Sequence, residues 1–324
     1  MCAESPFRSI PPLEGCAASP QGSGADTTPQ DGDSLVSESL ASDSPTPEPL
    51  APGLYVVATP IGNLRDITLR ARDVLAGADL ILCEDTRVTA KLLRACAVDT
   101  PMRSYHDHNA EARRPEILQR LADGARIALV SDAGTPLLAD PGYKLVRAVR
   151  AAGVPVTPVP GPSAVLAALM GAGLPTDRFV FEGFLPSKRG ARRAVLEELA
   201  GLAATLAFYE SPRRLRASLA DMAAVLGARE AVVARELTKR FETFVAGPLD
   251  DLAGRFEAPP KGEVVVLVAP PAAPAAADEA EIDARLRVHL ADSSPRDAVA
   301  AVVRETGAPR KTVYARAIAL KDTA

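Results

Sequence analysis

Residues 125–142, ARIALVSDAGTPLLADPG, constrain the fold more than any other stretch of this chain. Ile127, Ala128, Leu129 and Val130 form an apolar run with no polar alternation, the pattern of a strand buried on both faces of a parallel sheet. The run breaks into Ser131-Asp132-Ala133-Gly134-Thr135-Pro136, small and φ-permissive residues that let a backbone come close to a ligand. Beyond Gly142 the pattern turns helical over 143–152. A strand that ends in a glycine loop and enters a helix is where open α/β sheets bind ligands. It is equally the form of an ordinary βα connection with a tight turn.

The same unit recurs on both sides. Strands are expected at 54–58, 80–83, 102–105 and 156–159, and helices at 68–77, 86–95, 111–123 and 164–171. Strands alternating with helices imply a parallel sheet with right-handed crossovers, here spanning 53–174. Residues 175–269 are less regular. Strands read at 179–185, 204–209, 231–235 and 263–269, a strand and turn at 241–248, and helices at 189–200 and 213–226, which suggests a second α/β domain with a mixed sheet. A proline–alanine linker, 270–277, leads to a helical tail, 278–324, with segments at 279–290, 295–305 and 311–320.

Residues 1–52 are rich in Pro, Ser, Gly and Asp and show no apolar periodicity, so a disordered tail is expected there. They also carry eight acidic residues against Arg8 alone, a sum of −7 in a chain whose net charge is −4, which leaves the remainder at +3. That balance is too mild to argue for or against a nucleic-acid partner. No basic segment followed by an apolar core opens the chain, and no run is long enough to span a bilayer, so a cytoplasmic protein is expected. Cys2, Cys16, Cys83 and Cys96 form no C-x-x-C pair, and His106 and His108 lack an evident third ligand, so no metal site is expected. His106-Asp107-His108-Asn109 reads as a solvated polar turn.

Three glycine- and proline-containing loops, 59–63, 131–136 and 160–163, fall at the carboxyl edge of the first sheet, where together they can line one cleft. Neither G-x-G-x-x-G nor G-x-x-x-x-G-K-[ST] occurs, so the usual support for a dinucleotide or ATP site is missing.

Eight blocks in order carry a resemblance: GLYVVATPIGNLRDITLRA, ILCEDTR, SYHDHN, LVSDAGTPLLADPG, VPGPSAVLAAL, FYESPRRL, ARELTK with a following FE, and KGEVVVLV. Over 53–269 the chain resembles the small-subunit rRNA methyltransferase I family, itself similar to the tetrapyrrole methylases, and the tail resembles that family's C-terminus. The resemblance implies two α/β domains of tetrapyrrole-methylase type with a cofactor cleft between them. It implies a cytoplasmic homodimer that uses S-adenosyl-L-methionine to methylate the ribose 2′-hydroxyl of a decoding-centre cytidine in 16S rRNA of the small ribosomal subunit. Gly134-Thr135-Pro136 matches a Gly-Asp-Pro loop of the tetrapyrrole enzymes, and the Asp-to-Thr change weighs against a corrin substrate.

Carried over residue by residue, the resemblance puts Pro60, Asp132, Ala133, Gly134, Thr135, Leu138, Ser163 and Ala164 against the cofactor from the first domain. Phe208, Tyr209, Ala234 and Gly262 would close it from the second. A poor nucleophile such as a 2′-hydroxyl benefits from a base, and Asp85, Asp132, Glu236 and Lys239 are the candidates, each with structural ion pairing as the alternative. Arg87, Arg213, Arg214 and Arg216, with Lys188, Arg189, Arg192 and Arg193, are candidates for RNA phosphates, against solvated helix faces. The competing functions are methylation of a small molecule on the same fold and a non-catalytic ribosome-binding module.

Overall fold

The computed structural model describes residues 49–140, 142–272 and 277–322. The expected disordered tail up to residue 48 and the middle of the expected linker, 273–276, lie outside these residues. Of residues 49–52, assigned to the tail by composition, Leu50 is half-buried and the other three are exposed. Leu50 lies against the first core, and the Tyr55 hydroxyl donates to the Ala51 carbonyl at 2.7 Å.

The first half contains β1 (Gly53–Val57), α1 (Leu69–Gly77), β2 (Leu80–Cys83), α2 (Thr86–Ala95), β3 (Met102–Ser104), α3 (Asp107–Ala122), β4 (Arg126–Val130), α4 (Tyr143–Ala151) and β5 (Val156–Val159). Its strands form one parallel sheet in the order β3-β2-β4-β1-β5. Helix α1 buries Ala71, Val74 and Leu75 against one face, with Leu93 of α2. The other face is covered by Ile117 and Leu121 of α3 and by Leu145 and Val149 of α4. The sheet is thus apolar on both faces, as the unalternating strand at 127–130 predicts.

Helix α3 starts four residues earlier than expected. His106 is its N-cap, and Asn109 holds it: the Asn109 carboxamide oxygen accepts the His106 N–H, and Asn109 Nδ2 meets His106 Nε2, both at 3.0 Å. The polar stretch read as a turn is therefore a helix start.

Helix α5 (Ala164–Ala172) follows β5, and then come β6 (Phe179–Phe184), α6 (Arg189–Leu199), β7 (Thr205–Glu210), α7 (Leu215–Leu226), β8 (Glu230–Arg235), β9 (Thr243–Pro248), α8 (Leu249–Arg255) and β10 (Val264–Val268). Their sheet has the order β6-β7-β10-β8-β9, with β6 and β7 parallel and the other pairs antiparallel. This is the mixed sheet the irregular pattern suggests. Helix α8 was not expected from the sequence: seven residues are too short to show a helical period.

One face of the second sheet packs on α6, α7 and α8 through Leu206, Phe208, Val233, Val264 and Val266. The opposite face receives α5 and Ile61 from the first half, through Val165, Ala168 and Leu169 on Ala207, Ala234, Val265 and Leu267. The approach of α5 is close enough that a Cβ on Gly171 would lie 2.3 Å from the Phe244 ring. This packing joins the two sheets. The tail forms α9 (Glu279–Asp292), α10 (Pro295–Thr306) and α11 (Arg310–Asp322) around Ile282, Leu286, Val299, Val302 and Val313. Ser294 caps α10, Pro295 sits in its first turn, and Gly307, at φ +66°, ends it.

Candidate active site

The loops that leave β1, β2, β4 and β5 are fastened to one another at the carboxyl edge of the first sheet. Thr59 and Gly134 exchange two backbone hydrogen bonds, Thr59 N–H to Gly134 O at 2.9 Å and Gly134 N–H to Thr59 O at 3.0 Å. The Thr59 hydroxyl donates to Ser131 O at 3.1 Å, and the Thr135 hydroxyl donates to Pro162 O at 3.1 Å. The Asp85 N–H donates to Asp132 Oδ1 at 3.0 Å. The β4 loop is thereby tied to its three neighbours.

Above Gly134 lies a cleft of about 440 Å³ between the two sheets. From the first half it is lined by Ile61, Asp132, Ala133, Gly134, Ala139, Asp140 and Ala164. From the second it is lined by Phe184, the segment from Tyr209 to Pro212, Leu237 and the segment from Gly262 to Val265. Tyr209 stands edge-on to Phe181, with ring centroids 4.8 Å apart, and 5.5 Å from Phe184. A second hollow of about 250 Å³ adjoins the cleft and shares Ile61, Asp132, Ala133 and Glu263 with it. Pro60, Gly62, Leu64, Val88, Lys91, Leu92 and Lys239 belong to this second hollow alone.

Backbone strain gathers here. Among the described residues five non-glycine positions have positive φ, and Leu137, Ala139, Glu236 and Thr238 belong to the two loops that face each other across the site. Such conformations persist only where surrounding structure enforces them.

Six of the residues carried over by resemblance line the cleft: Asp132, Ala133, Gly134, Ala164, Tyr209 and Gly262. Pro60 lines the adjoining hollow. The others take different places. Phe208 is fully buried and points to the α7 side of its sheet, because side chains alternate along β7 and Tyr209 takes the cleft face. Ala234 lies on the cleft-side face but is sealed beneath α5. Thr135 is spent on Pro162, Ser163 is the buried N-cap position of α5, and Leu138 points to solvent.

The candidate bases are also sorted. Asp85 caps α2 and grips Arg87, whose hydrogen bonds hold its carboxyl down at about 2. Glu236 accepts from Lys239 Nζ at 2.8 Å and from the Glu263 N–H at 3.1 Å, and these bonds, that of Lys239 first, lower its pKa. Burial works against the Lys239 ammonium, but its bonds to Glu236 and Glu263 outweigh that and raise its pKa. All three are committed to structural partners. Asp132 has one oxygen on the Asp85 N–H and sits on the wall shared by the two hollows.

Asp140 was missed by sequence reasoning. It lines the cleft, and burial, then the Glu84 and Asp132 charges, push its carboxyl up to about 6 against a hydrogen bond from Ser131. No local pattern announces it, since its burial and the Glu84 carboxylate near it come from tertiary packing.

The basic candidates divide in the same way. Arg213 and Arg216 are exposed. Arg214 donates to the Leu185 and Pro186 carbonyls at 2.6 and 3.1 Å and faces Glu210 at 3.4 Å. Arg192 is buried and paired with Asp221 at 2.6 Å, while Arg189 holds the same carboxylate at 3.0 Å. Arg192 is thus a core ion pair and is removed from the phosphate candidates. Lys188 is exposed, as is the Arg87 side chain around its Asp85 pair. Among the described residues no group of His, Cys, Asp and Glu is arranged to hold a metal, and no helix is long and apolar enough to cross a membrane.

Comparison with known proteins agrees with this architecture. Residues 53–253 match the tetrapyrrole (corrin/porphyrin) methylases, and residues 276–321 match the RsmI C-terminal HTH domain. The ribosomal RNA small subunit methyltransferase I of Mesorhizobium japonicum is 50% identical over 280 residues, covering 85% of this chain and 94% of its own length. Its namesake from Xylella fastidiosa strain Temecula1 is 49% identical over 268 residues, covering 81% and 97%. That of Escherichia coli O157:H7 is 51% identical over 219 residues, covering 66% and 77%. Among solved structures, the methyltransferase CobJ superposes with a TM-score of 0.53 at 21% identity, over 70% of this chain and 97% of its own. Diphthine synthase superposes with a TM-score of 0.51 at 15% identity, over 67% and 89%. At such identities the structural likeness speaks for the fold alone. On its sequence matches the chain belongs to the tetrapyrrole methylase family and, within it, to the ribosomal RNA small subunit methyltransferase I family.

Proposed function

We propose that this protein transfers a methyl group from S-adenosyl-L-methionine to the ribose 2′-hydroxyl of a decoding-centre cytidine in 16S rRNA. The observation that carries the reading is the backbone floor of the 440 Å³ cleft at Gly134. A Cβ there would lie 3.2 Å from Ile61 Cγ2, and φ is +81°, so only glycine keeps the floor flat and unstrained. Ala133, Ala164 and Gly262 keep the walls equally low, while Ile61, Leu237 and Tyr209 supply apolar surface. Asp132 and Asp140 put carboxylates on a site that has to receive a cation. The residues present therefore fit the cofactor.

When bound, the cofactor supplies a methyl group on a sulfonium centre, for in-line transfer to oxygen. The chain's part is mainly positioning: hydrogen bonds among the β1, β4 and β5 loops hold the floor rigid. Asp132, on the shared wall, would orient the 2′-hydroxyl and take its proton as the methyl group is transferred. Asp140 would face the cofactor's positive charge. Arg213 and Arg87 remain the phosphate candidates, with Arg214 in a bracing role. Leu166 and Met170, one turn apart on α5, are 51% and 87% exposed; on so apolar a helix they suit burial by a second copy in a homodimer. The setting of the reaction would be the small ribosomal subunit in the cytoplasm.

The test is methyl transfer from labelled S-adenosylmethionine to 30S subunits, naked 16S rRNA and tetrapyrroles side by side. Label is expected on a cytidine ribose in the ribosomal substrate. Label on the tetrapyrrole alone would instead make the protein a small-molecule methylase, and absence of cofactor binding would leave a non-catalytic module.

A further inference from the structure

The 250 Å³ hollow beside the cofactor cleft has a chemistry of its own, and its contents are what the reaction needs on the acceptor side. Its outer wall is apolar: Leu64 from the turn after β1, and Val88 and Leu92 from α2. Leu64 and Val88 are 50% and 38% exposed, so they present hydrophobic surface to whatever enters. At the rim stands Lys91, a cation with no ion-pair partner among the described residues. At the inner end the hollow reaches Asp132, one of two carboxylates it shares with the cofactor cleft; the other, Glu263, is paired with Lys239 at 3.1 Å.

A planar apolar face, a hydroxyl-bearing ring and a phosphate succeed one another in a nucleotide. The hollow offers an apolar wall, a carboxylate acceptor and a free ammonium. We propose that this hollow holds the target nucleotide: its base against Leu64, Val88 and Leu92, its ribose at Asp132 and an adjoining phosphate at Lys91. The ribose is then at the wall where the two hollows meet, next to the cleft in which the methyl group would be presented. A base lodged in such a pocket has left its stack, so an unpaired or extruded nucleotide is the form received. The proposal rests on the methyltransferase reading and adds to it the location of the acceptor.

The experiment fills the hollow from its outer wall. Val88→Trp and, separately, Leu64→Trp are assayed for S-adenosylmethionine affinity by calorimetry and for kcat/KM with 30S subunits. Both positions lie on exposed surface, and two variants guard against one that misfolds. The expected result is wild-type cofactor affinity with kcat/KM lowered at least tenfold, and competitive inhibition by cytidine 5′-monophosphate that the wild-type protein shows and the variants lose. Lys91→Ala should lower the salt dependence of RNA binding by a slope of about 0.7–0.9, one phosphate contact. Wild-type kcat/KM in a Trp variant that binds cofactor normally would overturn the proposal, as would an unchanged salt slope in Lys91→Ala. A wild-type protein that binds no S-adenosylmethionine would instead fail the methyltransferase reading itself.

Discussion

Lys239 occupies the space that a side chain on Gly62 would need: a Cβ at Gly62 would lie 2.5 Å from Lys239 Cγ and 2.6 Å from its Cε. The lysine stem, reaching out of the β8–β9 loop, therefore lies flat on the loop after β1. Its ammonium is held on the far side by Glu236 and Glu263, at 2.8 and 3.1 Å. This contact fastens the two halves next to the site. Gly62→Ala, at φ +154°, should displace Lys239 and destabilise the protein by about 1–3 kcal/mol, the usual cost of overpacking. Thermal denaturation measures it, and an unchanged midpoint would show that the lysine stem moves aside freely.

Gly134→Val should abolish detectable cofactor binding while the circular dichroism spectrum persists. The added atoms would rise from the floor of the cleft toward Ile61 and strain a backbone at φ +81°. Calorimetry with S-adenosylmethionine decides it. Unchanged affinity in the folded variant would move the cofactor elsewhere.

Much of this site is legible in the sequence, because glycine and proline mark the loops that touch a ligand. Gly134 and Pro60 are visible for that reason, while Gly262 comes only from the family resemblance. What is not legible depends on partners far along the chain. Phe208 and Tyr209 are adjacent aromatics, and only the pleat of β7 sends one to the core and the other to the cleft. Arg192 looks like part of a basic helix face until Asp221, 29 residues away, is seen beside it. Arg214 is spent on a carbonyl 29 residues upstream, at Leu185. Asp140 acquires its unusual ionisation from burial first and then from Glu84, which the loop after β2 brings to it from 56 residues upstream.

Asp221 tests the reassignment of Arg192. Burial alone would raise its carboxyl, but hydrogen bonds from Arg192 and then Arg189 outweigh that and hold it low. Asp221→Asn leaves a buried guanidinium uncompensated and should cost about 3–5 kcal/mol in denaturant unfolding. In the wild type this contribution is present above the unfolded-state pKa and lost as pH falls through the lowered folded one. A loss below about 1 kcal/mol, as for surface pairs, would contradict a core role.

Asp140 predicts a pH dependence for cofactor binding. Its carboxyl is pushed up to about 6, so the negative charge it brings to the cleft is mostly absent at pH 5 and mostly present at pH 7. Affinity for S-adenosylmethionine should rise several-fold across that interval. Glu84, whose carboxyl burial also raises, is the neighbouring group that should leave a smaller residual trend, while the Tyr209 phenol, pushed up by burial, stays neutral throughout. Asp140→Asn should flatten most of the dependence. A variant whose profile matches the wild type would remove Asp140 from the cofactor site.

The most direct measurement compares two small-subunit substrates that differ by one oxygen atom: a decoding-centre RNA with cytidine at the target and the same RNA with 2′-deoxycytidine. Labelled methyl transfer is followed with both. The account predicts full transfer to the first and none to the second, with 5-methylcytidine at the target still reactive. Transfer to the deoxy substrate would contradict the ribose 2′-hydroxyl as the acceptor.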